Sequence, residues 1–318
     1  MKLAPVLRQL LILALVALGE GIVFDERRAS AQDRVTDDES EYFRDDDSAA
    51  TECECDEPAT LFEWSGCCEE EDDGDEPDTI ETDRPDFTEA STTVGRGRVQ
   101  FEMGYTFTED NDGVTRTSNH SYPELLIRIG LFREWFELRI ANNMAGETLA
   151  TGGISDSDGG MEDMYLGCKI ALSPQCGWLP EMALMLQMTV PTGADDFTDD
   201  EVLPGLNWLY GWDVTEHISC GGSTQGNRAR DDGGHFYTEF AQSMTIGYGL
   251  TDRLGAYTEW SAFFPHSALA PDTKPQHYFD GGFTYLVTDN FQLDIRGGVG
   301  LNDAADDYFV GSGLSVRF

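Results

Sequence analysis

Val99-Gln100-Phe101-Glu102-Met103-Gly104-Tyr105-Thr106-Phe107-Thr108 alternates apolar with polar or small side chains and never breaks step. Successive side chains of a β-strand leave on opposite faces, so this stretch reads as a strand with one apolar and one wet face. The same period returns at Leu125, Ile127, Ile129 and Leu131, at Phe136, Leu138 and Ile140, and at Met164, Leu166, Cys168 and Ile170. It continues through Leu184 to Val190, Trp208 to Val214, Phe240 to Tyr248, Phe279 to Tyr285, Phe291 to Leu301 and Tyr308 to Phe318. Two weaker runs, Ile218 to Gln225 and Leu254 to Phe264, bring the expected count to about twelve, an even number.

The connections set the topology. Long polar stretches, Glu109 to Ser121, Asn142 to Gly160, Thr192 to Leu203, Gly226 to Gly234 and Pro265 to Gln276, alternate with tight ones such as Phe132-Arg133-Glu134, Thr215-Glu216-His217, Thr251-Asp252-Arg253 and Thr288-Asp289-Asn290. Short turns at one end and long loops at the other predict an all-β, antiparallel, up-and-down transmembrane barrel. A water-soluble sandwich also alternates, but its outer face would carry Lys and Glu. Here the wet positions mix Gly, Ser and Thr with charges of both signs, which suits a crowded, hydrated interior. Leu314, Val316 and Phe318 share one face at the chain's end, a terminal aromatic signal of the kind read by barrel-assembly machinery.

Composition narrows the class further. With 60 acidic and 20 basic residues among 318, the formal net charge is −40. Nucleic-acid binding needs a basic face and is excluded. Residues 1–31 read as an export signal: Lys2 and Arg8, then the apolar run Leu10 to Leu18, then Ala29-Ser30-Ala31 as a small-x-small cleavage site. The apolar run is too short to span a bilayer as a helix. Export to the outer membrane of a diderm bacterium follows, with lipid as the barrel's surroundings. Residues 32–81 form an acidic segment whose runs, such as Asp45-Asp46-Asp47 and Glu69-Glu70-Glu71-Asp72-Asp73, favour disorder in the periplasm. It holds Cys53, Cys55, Cys67 and Cys68. These read either as a metal knot or as disulfides. The spacing lacks the paired C-x-x-C of a zinc site and the compartment is oxidising, so disulfides are expected and no metal or cofactor is assigned. Cys168, Cys176 and Cys220 are scattered and read as unpaired or packing residues.

Residues 82–318 make the barrel with its lead-in. Thr82-Asp83-Arg84-Pro85-Asp86-Phe87-Thr88-Glu89 resembles the opening motif of a family of outer-membrane transporters named after the meta-pathway of phenol degradation. Asp163 to Lys169, Val190-Pro191-Thr192-Gly193, His277 to Tyr285 and Leu301 to Gly311 resemble further family stretches. The acidic segment and Cys168 depart from the pattern. The resemblance implies a channel or transporter for small solutes, with aromatic or other hydrophobic compounds suggested by the family name.

Two other readings compete, a structural barrel and an outer-membrane lipase. The lipase needs a Ser–His pair on the lipid face. Ser243, however, alternates inward with Glu239, while His235, His266 and His277 lie at strand or loop ends, and no catalytic residue is assigned. The period-two rule aims Arg128, Arg139, Lys169, Arg296 and Arg317 inward, with Glu102, Glu137, Glu239, Glu259, Asp280 and Asp294. These charges either pair off and fill the lumen or line a constriction that selects solutes. If Arg128, Arg139 and Arg296 faced Glu239, Glu259 and Asp280, a transverse field would act on the solute. Twelve strands enclose less than a sixteen-stranded porin, so a small or partly plugged passage is expected.

Overall fold

Alternation becomes a closed wall. The computed structural model describes residues 59–62, 79–231, 233–271 and 273–318, all within the compact unit Cys55–Phe318. Its strands are β1 (Val99–Asn111), β2 (Thr115–Gly130), β3 (Phe136–Thr151), β4 (Ile154–Met161), β5 (Met164–Ser173), β6 (Glu181–Val190) and β7 (Leu203–Thr215). The chain continues with β8 (Ile218–Arg230), β9 (Phe236–Thr251), β10 (Leu254–His266), β11 (Gln276–Thr288), β12 (Phe291–Gly300) and β13 (Tyr308–Arg317). Neighbours pair antiparallel around the ring, β1 meets β13, and β2 meets β3, so the ring closes on itself and only the outer side of β4 lacks a strand neighbour among the described residues.

Twelve strands form this wall, and β4 stands outside the count. Phe136 to Ala141 of β3 pair with β5, whereas Met144 to Thr151 pair with β4. The stretch Asn142 to Gly160, expected as a loop, is largely this hairpin, which turns at Gly152 and Gly153 with φ of +60° and +85°. Side chains of β4 are almost all exposed. With water on both faces nothing imposes apolar alternation, and sequence period carries no trace of the strand.

Burial is inverted relative to a soluble protein. Arg128, Lys169, Glu102 and Glu137 are 0% exposed, while Met244 is 60% and Ile295 56% exposed. Only an apolar surround makes such a distribution favourable, and the sandwich reading falls with it. Among the described residues, Ala183, Met185 and Leu209 form a small buried apolar patch.

Phe318 closes the wall. Its carbonyl accepts from Val99 N at 3.0 Å and its N–H donates back at 2.8 Å, joining the last residue to the first strand. At the same end, the N–H groups of Leu61 and Phe62 donate to the carbonyls of Ala171 and Leu172 at 2.9 and 2.7 Å. Cys168 and Cys220 are free thiols. Cys176 is disulfide-bonded, which corrects its expected unpaired state. It sits in the β5–β6 turn, where scattered spacing gave no hint of a partner. The expected export signal, Cys53, Cys55, Cys67 and Cys68 lie outside the described residues.

Candidate functional site

The lead-in does not add a strand. Residues 79–98 run through the lumen and are held there at three anchors.

The first anchor is ionic. Strand register sets Arg128 beside Arg139 and Glu137 beside Lys169. Into this group the lead-in places Asp83, whose carboxylate meets Arg139, Lys169 Nζ at 3.0 Å and Arg128 Nε at 3.3 Å. Arg128 also reaches Glu137 at 2.9 Å and Glu102 at 3.2 Å. Arg139 reaches Glu137 at 3.1 Å and Glu89 at 2.6 Å. Glu102 accepts the backbone N–H groups of Asp83 and Arg84, and Glu137 accepts that of Val94. Burial alone would raise the Asp83 carboxyl, but Arg128, Arg139 and Lys169 outweigh it and hold it far below the usual carboxylate range.

The second anchor lies on the opposite side. Glu259 of β10 accepts the N–H groups of Phe87 at 2.6 Å and Thr88 at 2.7 Å. Thr88 Oγ1 also contacts Ser243 Oγ, which in turn pairs with Ser223 Oγ at 2.9 Å.

The third is at the seam between first and last strands. Arg84 reaches Glu124 at 2.6 Å and Asp294 at 3.4 Å. Its guanidinium lies over Gly104 and Gly313, which are register partners on β1 and β13. A Cβ at either glycine would come within 2.3 or 2.4 Å of Arg84 atoms, so the close approach requires glycine at both. Arg296 completes this corner, donating to Pro85 O and to Thr106 Oγ1, each at 2.8 Å.

The sequence candidates thus sort into groups. Arg128, Arg139 and Lys169 come together around Asp83. Asp294 and Arg296 flank Arg84. Glu259 and Asp280 are register partners on β10 and β11, and Tyr257 Oη donates to Asp280 at 3.0 Å. Glu239 stands apart, nearer the long loops, with Tyr237 Oη at 3.2 Å. Arg296 does not share a wall with Arg128 and Arg139. Ser243 touches hydroxyls in the lumen, with no imidazole on it among the described hydrogen bonds. Sequence reasoning missed the lead-in itself. Its signal was available: Asp83, Arg84, Asp86 and Glu89 crowd a stretch without alternation directly before a strand with charges on its wet face.

Space remains beside this plug. A central cavity of 370 Å³ is lined by Asp86, Glu89, Gln187, Asn207, Gln225 and Arg296 among others. Toward the short turns, one of 270 Å³ shares Asp86 and Glu89 with it and adds Glu81, Glu181 and Asp213. Toward the long loops, one of 310 Å³ shares Gln187 and adds Asn227, Arg230 and Glu239. Among the described residues no group of three or more His, Cys, Asp or Glu side chains is placed to hold a metal ion.

Two carboxylates clasp the long loops. Asp163 accepts the N–H groups of Thr192, Gly193 and Asp199 at 2.9, 2.9 and 3.0 Å. Asp231 accepts those of His235, Leu269 and Ala270 at 2.9, 2.9 and 3.0 Å, tying the β8–β9 loop to the β10–β11 loop.

Residues 82–318 match the family model described as "Putative MetA-pathway of phenol degradation". The chain belongs to this family. No curated protein matches it. Among solved structures, it is similar to the COG4313 outer membrane channel from Pseudomonas putida F1, with a TM-score of 0.57 and 11% identity over 74% of this chain and 99% of that one. It is also similar to the translocator domain of the autotransporter NalP from Neisseria meningitidis, with a TM-score of 0.47 and 13% identity over 70% and 88% of the two chains. At such identity the first likeness shows the fold, an outer-membrane-type barrel.

Proposed function

We propose that the chain is an outer-membrane channel that passes small solutes beside its own N-terminal plug, and that it is not a catalyst. One observation carries the reading. Most of the plug's ion pairs are made to β2, β3 and β5, whereas the central cavity adjoins one cavity toward the short turns and one toward the long loops, both lined by strands of the β5–β9 side. There amide, hydroxyl, carboxylate and guanidinium groups share the lining with apolar side chains, wet enough to carry a solute and narrow enough to sieve it. Phe87, Leu126 and Tyr165 give the central cavity some apolar surface, in keeping with the aromatic compounds of the family name. Export through a cleaved signal and insertion through the Leu314, Val316 and Phe318 face belong to the same reading.

Planar-bilayer conductance, uptake of labelled solutes into liposomes and lipid hydrolysis test it together. A small, steady conductance with solute uptake is expected. Hydrolysis without conductance would instead support the lipase, and silence in all three assays a structural barrel.

A further inference from the structure

The central cavity contains groups that its walls leave unsatisfied. Asn207, on β7, is 1% exposed, and its Oδ1 has no hydrogen-bond partner. Glu89 uses Oε1 on Arg139 at 2.6 Å, and its buried Oε2 has none either. Both residues line the same 370 Å³ space, with Asp86 beside them and Phe87, Leu126 and Tyr165 supplying apolar and aromatic surface. Leaving a buried polar atom without a partner is costly, so such atoms mark where a ligand or water belongs.

The chemistry of the ligand follows from the atoms left over. Two unmatched acceptors, one of them on a carboxylate, ask for a donor that carries positive charge. We infer that the central cavity is a binding site for a small organic ammonium ion. Its N–H groups bond Glu89 Oε2 and Asn207 Oδ1, and its body rests on Phe87 and Leu126. Volume permits this: the space holds a molecule of benzylammonium size with room for water. Two lining guanidinium groups argue the other way, Arg296 and Arg84, the latter already paired with Glu124 and Asp294. Arg296 Nε is also unmatched and lines the cavity, where it would favour a carboxylate. Its guanidinium, however, already bonds Pro85 O and Thr106 Oγ1 and faces Glu124 Oε1 at 3.8 Å, so its charge is largely answered.

The inference names a solute class for the proposed channel, but its test does not depend on conduction. Isothermal titration calorimetry on the full mature chain in detergent would compare benzylammonium chloride, benzyl alcohol and sodium benzoate, three probes of one shape and different charge. Saturable binding of benzylammonium is expected, at least tenfold tighter than the other two. Asn207→Leu and, separately, Glu89→Gln should each weaken it about tenfold, with heat-modifiable gel migration confirming that each variant is folded. Two substitutions guard against one failing to fold. Preference for benzoate would assign the site to Arg296 and overturn the inference. Equal binding of benzyl alcohol, no saturable binding, or unchanged affinity in both folded variants would do the same. Benzylammonium bound as expected by a barrel that conducts nothing would remove the channel reading and leave the site standing.

Discussion

The two sides of the lumen follow opposite rules. On β2, β3 and β5, Arg128, Arg139 and Lys169 are wholly enclosed and matched by Asp83, Glu102 and Glu137. On β7 to β9, Asn207, Ser223, Gln225 and Ser243 are neutral, and Asn207 Oδ1 lacks a partner. Buried ion pairs add little net stability, because desolvation offsets much of their attraction, but they are costly to break one partner at a time. The charged side therefore holds the plug through enclosed ion pairs, whereas the neutral side touches it through the hydroxyls of Thr88 and Ser243. A lumen that needs both a stopper and a path can obtain them by dividing its charges in this way.

The sharpest attempt to break that contrast is Asp83→Asn, which strips three enclosed cations of their shared carboxylate. The expected cost is about 3–5 kcal/mol, read as an earlier denaturant midpoint for the detergent-solubilised barrel, with a rise in bilayer conductance as the plug loosens. An unchanged midpoint and current would show that charge does not position the plug.

At the border between the two sides lies the β5–β6 turn with its bonded Cys176. With Cys168 and Cys220 free, a partner among Cys53, Cys55, Cys67 and Cys68 is the expected outcome for Cys176. Non-reducing peptide mass spectrometry should find Cys176 linked to a peptide of the acidic segment. Five cysteines cannot all pair, so one thiol of that set should react with alkylating reagent. Reduction is expected to cost about 2–4 kcal/mol. Finding Cys176 free in the oxidised protein would refute the link.

Acid should separate the long-loop clasps from the neutral side. Burial raises the Asp163 carboxyl, but the N–H groups of Gly193, Asp199 and Thr192 and the Thr198 hydroxyl outweigh it and leave it lowered. The N–H of His235, with those of Ala270 and Leu269, lowers Asp231 likewise. A carboxyl lowered on folding contributes stability above its ordinary pKa of about 3.9 and loses it as pH falls through the lowered value. Amide exchange in residues 191–202 and 267–271 should therefore be slow and flat between about pH 5 and 8 once corrected for intrinsic rates, then quicken below about pH 3. Loops that open near neutral pH would contradict this sign.

The smallest effect belongs to Gln225→Ala on the neutral side. Its stability should move by less than about 1 kcal/mol, while single-channel conductance changes because the lining has changed. A loss as large as that of Asp83→Asn would erase the distinction between the two sides.

Much of the wall was legible in sequence because membrane and lumen impose opposite demands on adjacent residues. Phe101 and Glu102 cannot exchange faces without putting a carboxylate into lipid. Strand β4 was illegible for the complementary reason, since Ile154 to Met161 meet water on both sides. The direction of Arg128 and Arg139 was readable, but their partner was not. Asp83 meets Lys169 across 86 residues, and Thr88 meets Glu259 across 171. No local period encodes such distances. The opening motif marked family membership without saying that it lies inside the barrel.

The glycine notch under Arg84 also bears on how the molecule is assembled. Gly104 and Gly313 belong to the first and last strands, so the notch does not exist until those strands meet. Residues 79–98 come directly before the first strand, so the plug that fills the notch is covalently next to one of the two strands that make it. Seating Arg84 and closing the wall are thereby coupled, since the anchor at the seam can form only where the first and last strands have paired.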